Sequence, residues 1–472
     1  MYKLVCKTLL KRFLLFVFVF GGSVTIAQSK LQANKPGSPI QSPLSENALL
    51  DIVQKQTFRY FWDFAHPVSG MARERSNKTF SYGDEVVTTG GTGFGVMSMI
   101  VATKRKWIGR DTAAGQILKI IRFLLKANSY HGVFPHWMDG ATGKTIPFSA
   151  KDDGADLVET AYLFQGLLCA RKYFAGNNKT ETSIRDNISS MWDAIEWSWF
   201  TKGGEDVLYW HWSANNGWAM NFPVRGYNEC LIVYLLAAAG ERYPVNSNVY
   251  HQGWVKSNFF VNGKTFYGFR LPLGFDYGGP LFFSQYSFLG LDPHGLKDKY
   301  ADYWEQNLHH TLINHAYCID NPKKFTGYGD SCWGLTSSDT YDGYAGHSPT
   351  NDHGTISPTA ALSAFPYTPG YSMKALRHFY FDLGKKTWGK YGFIDAFNET
   401  KNWYANSDLA IDEGPIIVMI ENYRSGLLWK LFMNIPEVQK GLRKLGFESP
   451  WLNKKPKGHT DRPTKKHARP QN

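Results

Sequence analysis

The run Asp152-Asp153-Gly154-Ala155-Asp156-Leu157-Val158-Glu159-Thr160 places four carboxylates within eight residues and leads straight into the apolar stretch 161–168. Asp152, Asp156 and Glu159 stand at i, i+4 and i+7, a spacing that predicts one shared face of a helix. Like charges on one stripe repel. The cluster therefore implies a compensating gain from a helix N-terminus, a cation, or a substrate that needs acid chemistry. Acidic capping of a first turn accounts for most such clusters. The density of this one, at the mouth of an apolar helix, favours a site.

Two further acids open apolar runs. Glu229 follows Arg225-Gly226-Tyr227-Asn228 and precedes Cys230–Leu236, and Asp412 precedes Gly414-Pro415 and the run 416–420. Breaking a glycosidic bond takes two carboxyl groups, one giving a proton to the leaving oxygen and one activating water or attacking. Asp156, Glu159, Glu229 and Asp412 supply the candidates. Burial among aromatic rings raises a carboxyl pKa and keeps the group protonated at neutral pH. Rings are abundant: the chain is 16% aromatic, and many of them fall in loops. Trp137, Trp210, Trp212, Tyr227, Trp333, Tyr341 and Tyr344 are among them. A flat ring stacks on the C–H face of a pyranose. Loop packing accounts for some of these rings, and their number beside paired acids points to carbohydrate.

Competing motifs fail. Thr89-Gly90-Gly91-Thr92-Gly93-Phe94-Gly95 lacks the glycine spacing and the second strand of a dinucleotide fingerprint, and reads as a tight helix entry. No nucleophile elbow, P-loop, zinc-peptidase or EF-hand pattern occurs. His347, Asp352 and His353, with Asp339 and Asp342, are expected to satisfy one another or solvent rather than hold a metal. No metal and no cofactor are expected.

These acids need rigid elements to aim them. Helices are predicted over 47–65, 92–105, 112–128, 155–175, 182–199, 227–239, 299–315, 370–385 and 409–432, and loops with short strands over 257–290 and 321–357. The repeated order of polar aromatic loop, acidic first turn and apolar helix suits a ring of paired helices whose starts converge on one mouth. An all-α toroid meets this; a two-domain bundle does not do so naturally.

The N-terminal 27 residues read as a secretory signal: Lys3, Lys7, Lys11 and Arg12, then Phe13–Phe20, then small residues up to Ala27. Residues 28–45 read as a Pro/Ser-rich linker, 46–450 as one globular domain, and 451–472 as a basic tail without order. Residues 1–27 hold four basic and no acidic side chains, and 454–472 seven basic against one acidic, so only +2 of the net +12 belongs to residues 28–453. The charge thus gives no support to nucleic-acid binding. No later segment is apolar enough to span a membrane. A periplasmic or secreted monomer is expected. Cys169 and Cys230 read as buried thiols, and a Cys318–Cys332 disulfide is allowed but not forced.

Three motifs in order carry a family resemblance: Asp152-x-Gly154-Ala155-Asp156-Leu157-Val158-Glu159-Thr160 with Gln165-Gly166-Leu167-Leu168; Gly226-Tyr227-Asn228-Glu229; and Asp412-Glu413-Gly414-Pro415 with Glu421–Trp429. They resemble the bacterial glucoamylase-like family and, within it, the endo-β-1,2-glucanases of glycoside hydrolase family 144. The resemblance covers about 46–450. It implies an (α/α)6 barrel, hydrolysis of linear or cyclic β-1,2-glucan with inversion, and Asp152, Asp156, Glu159, Glu229 and Asp412 as the acids of the cleft. It also implies that a proton travels through a substrate hydroxyl and water. Glu229 is expected to be the general acid and Asp412 the base. Asp152, Asp156, Glu159, Trp137, Tyr227 and Trp333 are expected to bind substrate. A polysaccharide lyase on the same toroid and a glycan-binding protein without turnover are the alternatives. The acid-rich helix starts weigh against an anionic lyase substrate, and the retained acids against mere binding.

Overall fold

The computed structural model describes residues 44–77 and 85–452. The signal-like segment, nearly all of the linker and the tail from 453 onward lie outside the described residues.

Thirteen helices are found among the described residues: α1 Glu46–Trp62, α2 Thr89–Lys104, α3 Arg110–Leu124, α4 Leu157–Tyr173, α5 Lys179–Asp193, α6 Leu231–Ala239, α7 Tyr303–Asp320, α8 Pro358–Leu362, α9 Pro369–Arg377, α10 Gly384–Thr387, α11 Ala410–Ser425, α12 Leu427–Met433 and α13 Pro436–Lys444. Each expected helical span contains a helix. The expected helix 409–432 is broken at Gly426, whose φ of +64° ends α11 in the left-handed conformation that glycine adopts without penalty. Two short helices with proline in the first turn, α8 and α13, were not expected.

Strands are short and paired antiparallel. The sheet β1 (Val86–Thr88), β2 (Trp137–Asp139), β3 (Thr145–Ile146) leads into α2. The pair β4 (Ala155–Asp156) and β5 (His211–Trp212) sets Asp156 opposite His211 just before α4. The expected loop regions carry two hairpins, β6 (Thr265–Phe266) with β7 (Phe269–Arg270), and β8 (Ser337–Thr340) with β9 (Gly343–Gly346).

The helices fall into two kinds. α2, α4, α6 and α11 are buried on nearly every residue. α1, α3, α5, α9 and α13 bury one stripe and show the other to solvent, as Ala113, Ile117, Ile121 and Leu124 do on α3. Among the wholly buried set, α2 packs on α4 and α11, and α4 on α6; the short α8 packs on α11. Ile232 N–H donates to Ser287 Oγ at 3.0 Å, and Gln285 Nε2 donates to Ala360 O at 2.9 Å, so the one-turn segment 281–289 links α6 to α8. The amphipathic α1, α3, α5, α9 and α13 each pack against one of these or against a neighbour of their own kind.

The glycine-rich start of α2 has a packing reason. A Cβ on Gly93 would stand 2.2 Å from Tyr162 O, and one on Gly166 2.1 Å from Gly93 O. α2 and α4 therefore touch backbone to backbone, which fixes the α4 start that carries Glu159.

Candidate active site

The stripe expected for Asp152, Asp156 and Glu159 does not form, because only Glu159 lies in the helix. Asp152 forms an isolated antiparallel bridge with Ser149, and Asp156 lies in β4. Gly154 makes the break: a Cβ there would sit 2.4 Å from Trp212 O, so β5, contributed from 57 residues away, holds this segment extended. The three acids still gather, by strand pairing rather than helical period.

Asp156 is fully buried and fully engaged. Its Oδ1 accepts the N–H groups of Val158 (2.9 Å) and Glu159 (2.8 Å), capping α4, while Oδ2 meets His136 Nδ1 and accepts from Trp210 Nε1, both at 3.0 Å. Glu159 Oε2 accepts the Gly90 N–H at 2.7 Å, at the positive N-terminus of α2. A Cβ on Gly90 would fall 2.5 Å from that oxygen, so only glycine admits the contact. Burial pushes His136 down, but Glu159, Asp156 and Asp152 outweigh it and raise the imidazole to about 10. His136 Nδ1 and oxygens of Asp152 and Asp156 lie within 4.8 Å of one another. Such a cluster can hold a cation, and here the imidazolium already supplies positive charge. Gly154 N–H donates to His211 Nε2 at 3.1 Å, which makes that nitrogen an acceptor and leaves Asp152 Oδ1, 3.3 Å away, without a donor. Burial and then Asp156 push Asp152 up to about 7.

A second group of acids surrounds the start of α11. Asp412 occupies its first turn, but the cap residue is Leu409 and no side chain caps the helix. Asp412 Oδ1 accepts from Tyr286 OH at 3.3 Å. The Asp395 carboxyl stands beside it. Asp395 in turn accepts the Asp339 N–H at 2.7 Å. Asp339 pairs with Arg75 at 3.0 Å, and Arg75 pairs with Glu74 at 2.9 Å. Burial raises Asp412 to about 7 and Glu413 well above the usual carboxylate range.

Glu229 stands just before α6, with its backbone carbonyl held by Ser287 Oγ. Burial, with a smaller push from Glu159, raises it to about 7. The Tyr162 ring joins the groups: it senses Glu229 and Glu159, and packs edge-on to Tyr286, centroids 5.8 Å apart, whose hydroxyl reaches Asp412. Glu229 Oε2, Asp412 Oδ2, Asp395 Oδ1, Glu413 Oε2, Asp152 Oδ1 and Tyr162 OH are all buried without a protein partner. Orphaned polar atoms are costly in a folded interior, so these acids call for a polar partner from outside the protein.

The ring candidates divide. Trp137 is 4% exposed and meets Phe148 edge-on. Tyr227 and Trp333 have no exposed surface. Tyr227 OH donates to Asn307 and Trp333 Nε1 to Tyr371 O, so neither offers an open face to a sugar. Phe148, stacked 4.1 Å over His136, is 45% exposed, and Phe222, beside Trp210, is 39% exposed. Tyr344 is 41% exposed yet lies close to Asp412, Asp395 and Asp339, as a ring on a cleft wall does. Asp352 is tied to Tyr317, Tyr328 and Gly354. Cys169, Cys230, Cys318 and Cys332 are all free and buried.

Sequence reading missed His136, Asp395, Glu74 and Tyr286. A lone acid inside Tyr391-Gly392-Phe393-Ile394-Asp395-Ala396-Phe397 was the available signal for a buried carboxyl.

The raised acids have a consequence for stability. Glu229, Asp412 and Asp152 at about 7 and Asp408 at about 6 bind protons in the folded chain that they release when unfolded. Their contribution is fully present below pH ~4 and is lost as pH rises through 6–7. Glu181, held by Arg110 and lowered to about 2, acts oppositely below pH ~4. The buried His310 and His347, lowered to about 4 and about 3, act oppositely between pH 5.5 and 8 but are outnumbered by these acids. The melting temperature is therefore expected to be higher at pH 5.5 than at pH 8; a thermal scan that is flat or rising over this interval would contradict this balance.

Residues 221–436 match the family model described as "Putative glucoamylase". A solved structure from Bacteroides uniformis with the same description is 60% identical, with a TM-score of 0.86, covering 88% of this chain and 100% of that one. An endo-β-1,2-glucanase from Chitinophaga pinensis, solved with sophorotriose and glucose, is 56% identical with a TM-score of 0.85, covering 87% of this chain and 100% of that one. An exo β-1,2-glucooligosaccharide sophorohydrolase (non-reducing end) from Parabacteroides distasonis is 44% identical over an alignment of 424 residues that covers 85% of this chain. The chain spans 58% of the length of that relative. With identity this high over the whole of two solved chains, the protein belongs to the glucoamylase-like family, among whose members are these β-1,2-glucanases.

Proposed function

We propose that this chain hydrolyses β-1,2-glucan, cutting within the polymer and inverting the anomeric centre. One observation carries the reading: Glu229 and Asp412, on different elements, each keep a buried carboxyl oxygen without a protein partner, with Tyr162 near Glu229 packed on Tyr286, whose hydroxyl reaches Asp412. Glu229, raised to about 7, gives its proton to the glycosidic oxygen as the C–O bond breaks. Asp412 takes a proton from the attacking water, directly or through a substrate hydroxyl. The water oxygen becomes the new anomeric hydroxyl. Asp152 and Glu159 bind sugar hydroxyls, with Asp156 and His136 fixing the floor beneath them. Phe148, Phe222 and Tyr344 offer the open ring faces.

The scaffold we propose is an (α/α)6 toroid forming one domain over about 46–450. In support, the buried elements α2, α4, α6, 281–289, α8 and α11 contact one another in succession, and α11 returns to α2. The signal-like N-terminus supports export to the periplasm or beyond, and no described helix is long and apolar enough to cross a membrane. The chain is proposed to act as a monomer.

The endo assignment leans on the Chitinophaga relative, matched over its full length at higher identity than the exo relative. Sizing early products from long linear β-1,2-glucan tests it. A spread of oligosaccharide lengths supports internal cutting; sophorose alone from the first minutes rejects it. Proton NMR of the nascent reducing ends should show the α-anomer first, and a β-anomer would reject inversion.

A further inference from the structure

Five aromatic rings stand in file from the site to solvent. Tyr286, whose hydroxyl reaches Asp412, packs against Phe282 with centroids 4.8 Å apart. Phe282 meets Phe283 at 4.7 Å, Phe283 meets Phe275 at 6.4 Å, and Phe275 meets Phe259 at 5.2 Å. The inner three rings are buried or half-buried, whereas Phe275 is 38% exposed and Phe259 55%. The outer end returns to the site through the backbone. Phe259 O accepts the Tyr227 N–H at 3.3 Å, in the run that carries Glu229, and a Cβ on Gly226 would lie 3.2 Å from Phe259 Cβ.

The two outer rings are held in place. Val261 bridges Leu273, and Gly274 N–H donates to Phe260 O at 2.8 Å, so the antiparallel register sets Phe259 opposite Phe275. Asn262 Nδ2 braces the pair by donating to Gly274 O and Asp276 Oδ1 at 3.1 and 3.2 Å. Beyond Phe275, His310 Nε2 donates to Gly279 O at 3.1 Å. Gly279 has a φ of +78°, and a Cβ there would stand 2.9 Å from Phe283 and 3.6 Å from Phe275, so glycine lets the inner and outer rings meet. Lone exposed rings are ordinary on a protein surface. This pair is braced and continuous with the cleft, and it offers flat apolar surface beyond the carboxyls.

We propose that Phe259 and Phe275 form an outer platform on which sugar units of a long β-1,2-glucan stack, and that they set a preference for long chains over short ones. This rests on the reading of the cleft as a β-1,2-glucan site. A pyranose presents a face of C–H groups, and stacking removes that face and the ring from water together. A short oligosaccharide that fills only the cleft at Glu229 and Asp412 gains nothing from the platform. A long chain gains binding with no change at the scissile bond, so the contribution falls in KM.

The test compares the wild type with two double variants, Phe259→Leu with Phe275→Leu and Phe259→Trp with Phe275→Trp, folding being checked by near-UV circular dichroism. The substrates are long linear β-1,2-glucan and the shortest β-1,2-gluco-oligosaccharide that the wild type cuts. Leucine keeps apolar bulk without a flat face, and tryptophan keeps the face. The leucine pair should raise KM for the long glucan about tenfold with kcat held, and lower the glucan-to-oligosaccharide ratio of kcat/KM by the same factor. The tryptophan pair should restore both. An unmoved ratio in the folded leucine variant, a loss of kcat on both substrates alike, or a tryptophan pair as impaired as the leucine pair would overturn the proposal. So would a wild-type dimer in sedimentation that the leucine pair dissolves while the ratio holds, which would give the patch to a second copy. If the double leucine variant does not fold, Phe259→Leu alone decides by the same ratio. A wild type that leaves β-1,2-glucan uncut would reject the reading of the cleft and this inference with it.

Discussion

Glu229→Gln is expected to fold, bind glucan and lose about 10²–10⁴ in kcat. The substitution keeps size and removes the titrating proton. It acts on a carboxyl that burial has raised to about 7, so wild-type Glu229 retains its proton well above the pH at which an exposed glutamate loses it. Activity that needs this proton falls as pH rises through about 7. Activity that needs ionised Asp412, also near 7, falls as pH drops through the same region. The wild-type profile is therefore a narrow bell near neutrality. The glutamine carries no proton to lose, so the residual rate should show no alkaline limb from this group. A folded Glu229→Gln protein with near-wild-type turnover would remove Glu229 from the chemistry.

Asp412→Asn is expected to give a loss of similar size, about 10²–10⁴ in kcat with KM little changed. The structure separates this from a stability effect. Leu409 occupies the cap position of α11, no side chain caps that helix, and the Thr359 bond goes to the backbone carbonyl of Asp412, which the substitution leaves alone. No capping energy is lost, and replacing a buried acid of raised pKa with a neutral amide removes an ionisation that opposes folding at pH 8. The melting temperature should hold or rise. A lowered melting temperature with activity intact would make Asp412 a structural residue.

Helices were legible because their causes are local. Apolar periods, acidic first turns and Gly or Pro stops lie within each segment, and every expected span holds a helix. Glu229 and Asp412 were legible for the same reason, as acids at the mouths of apolar runs. The Asp152–Glu159 cluster was seen but misplaced. Its spacing suits a helix, yet pairing with β5 draws Asp156 into a strand, and a contact 55 residues away leaves no local trace beyond Gly154. Tyr227 and Trp333 sit in glycine-bearing loop sequence and read as open rings. The Asn307 and Tyr371 partners that enclose them are 80 and 38 residues distant. Asp395 opens no helix, and its significance arises only where the chain folds it beside Asp412. Local rules thus found the acids carried by helix starts and missed the residues that hold them.

The central claim is tested most directly by incubating the purified protein with linear β-1,2-glucan, and with β-1,3- and β-1,4-glucans of matched length, while following new reducing ends beside a folded Glu229→Gln control. Rapid release from the β-1,2-linked polymer alone, abolished in the control, is predicted. Equal release from the other linkages, or release that the Glu229→Gln protein retains, would contradict the account.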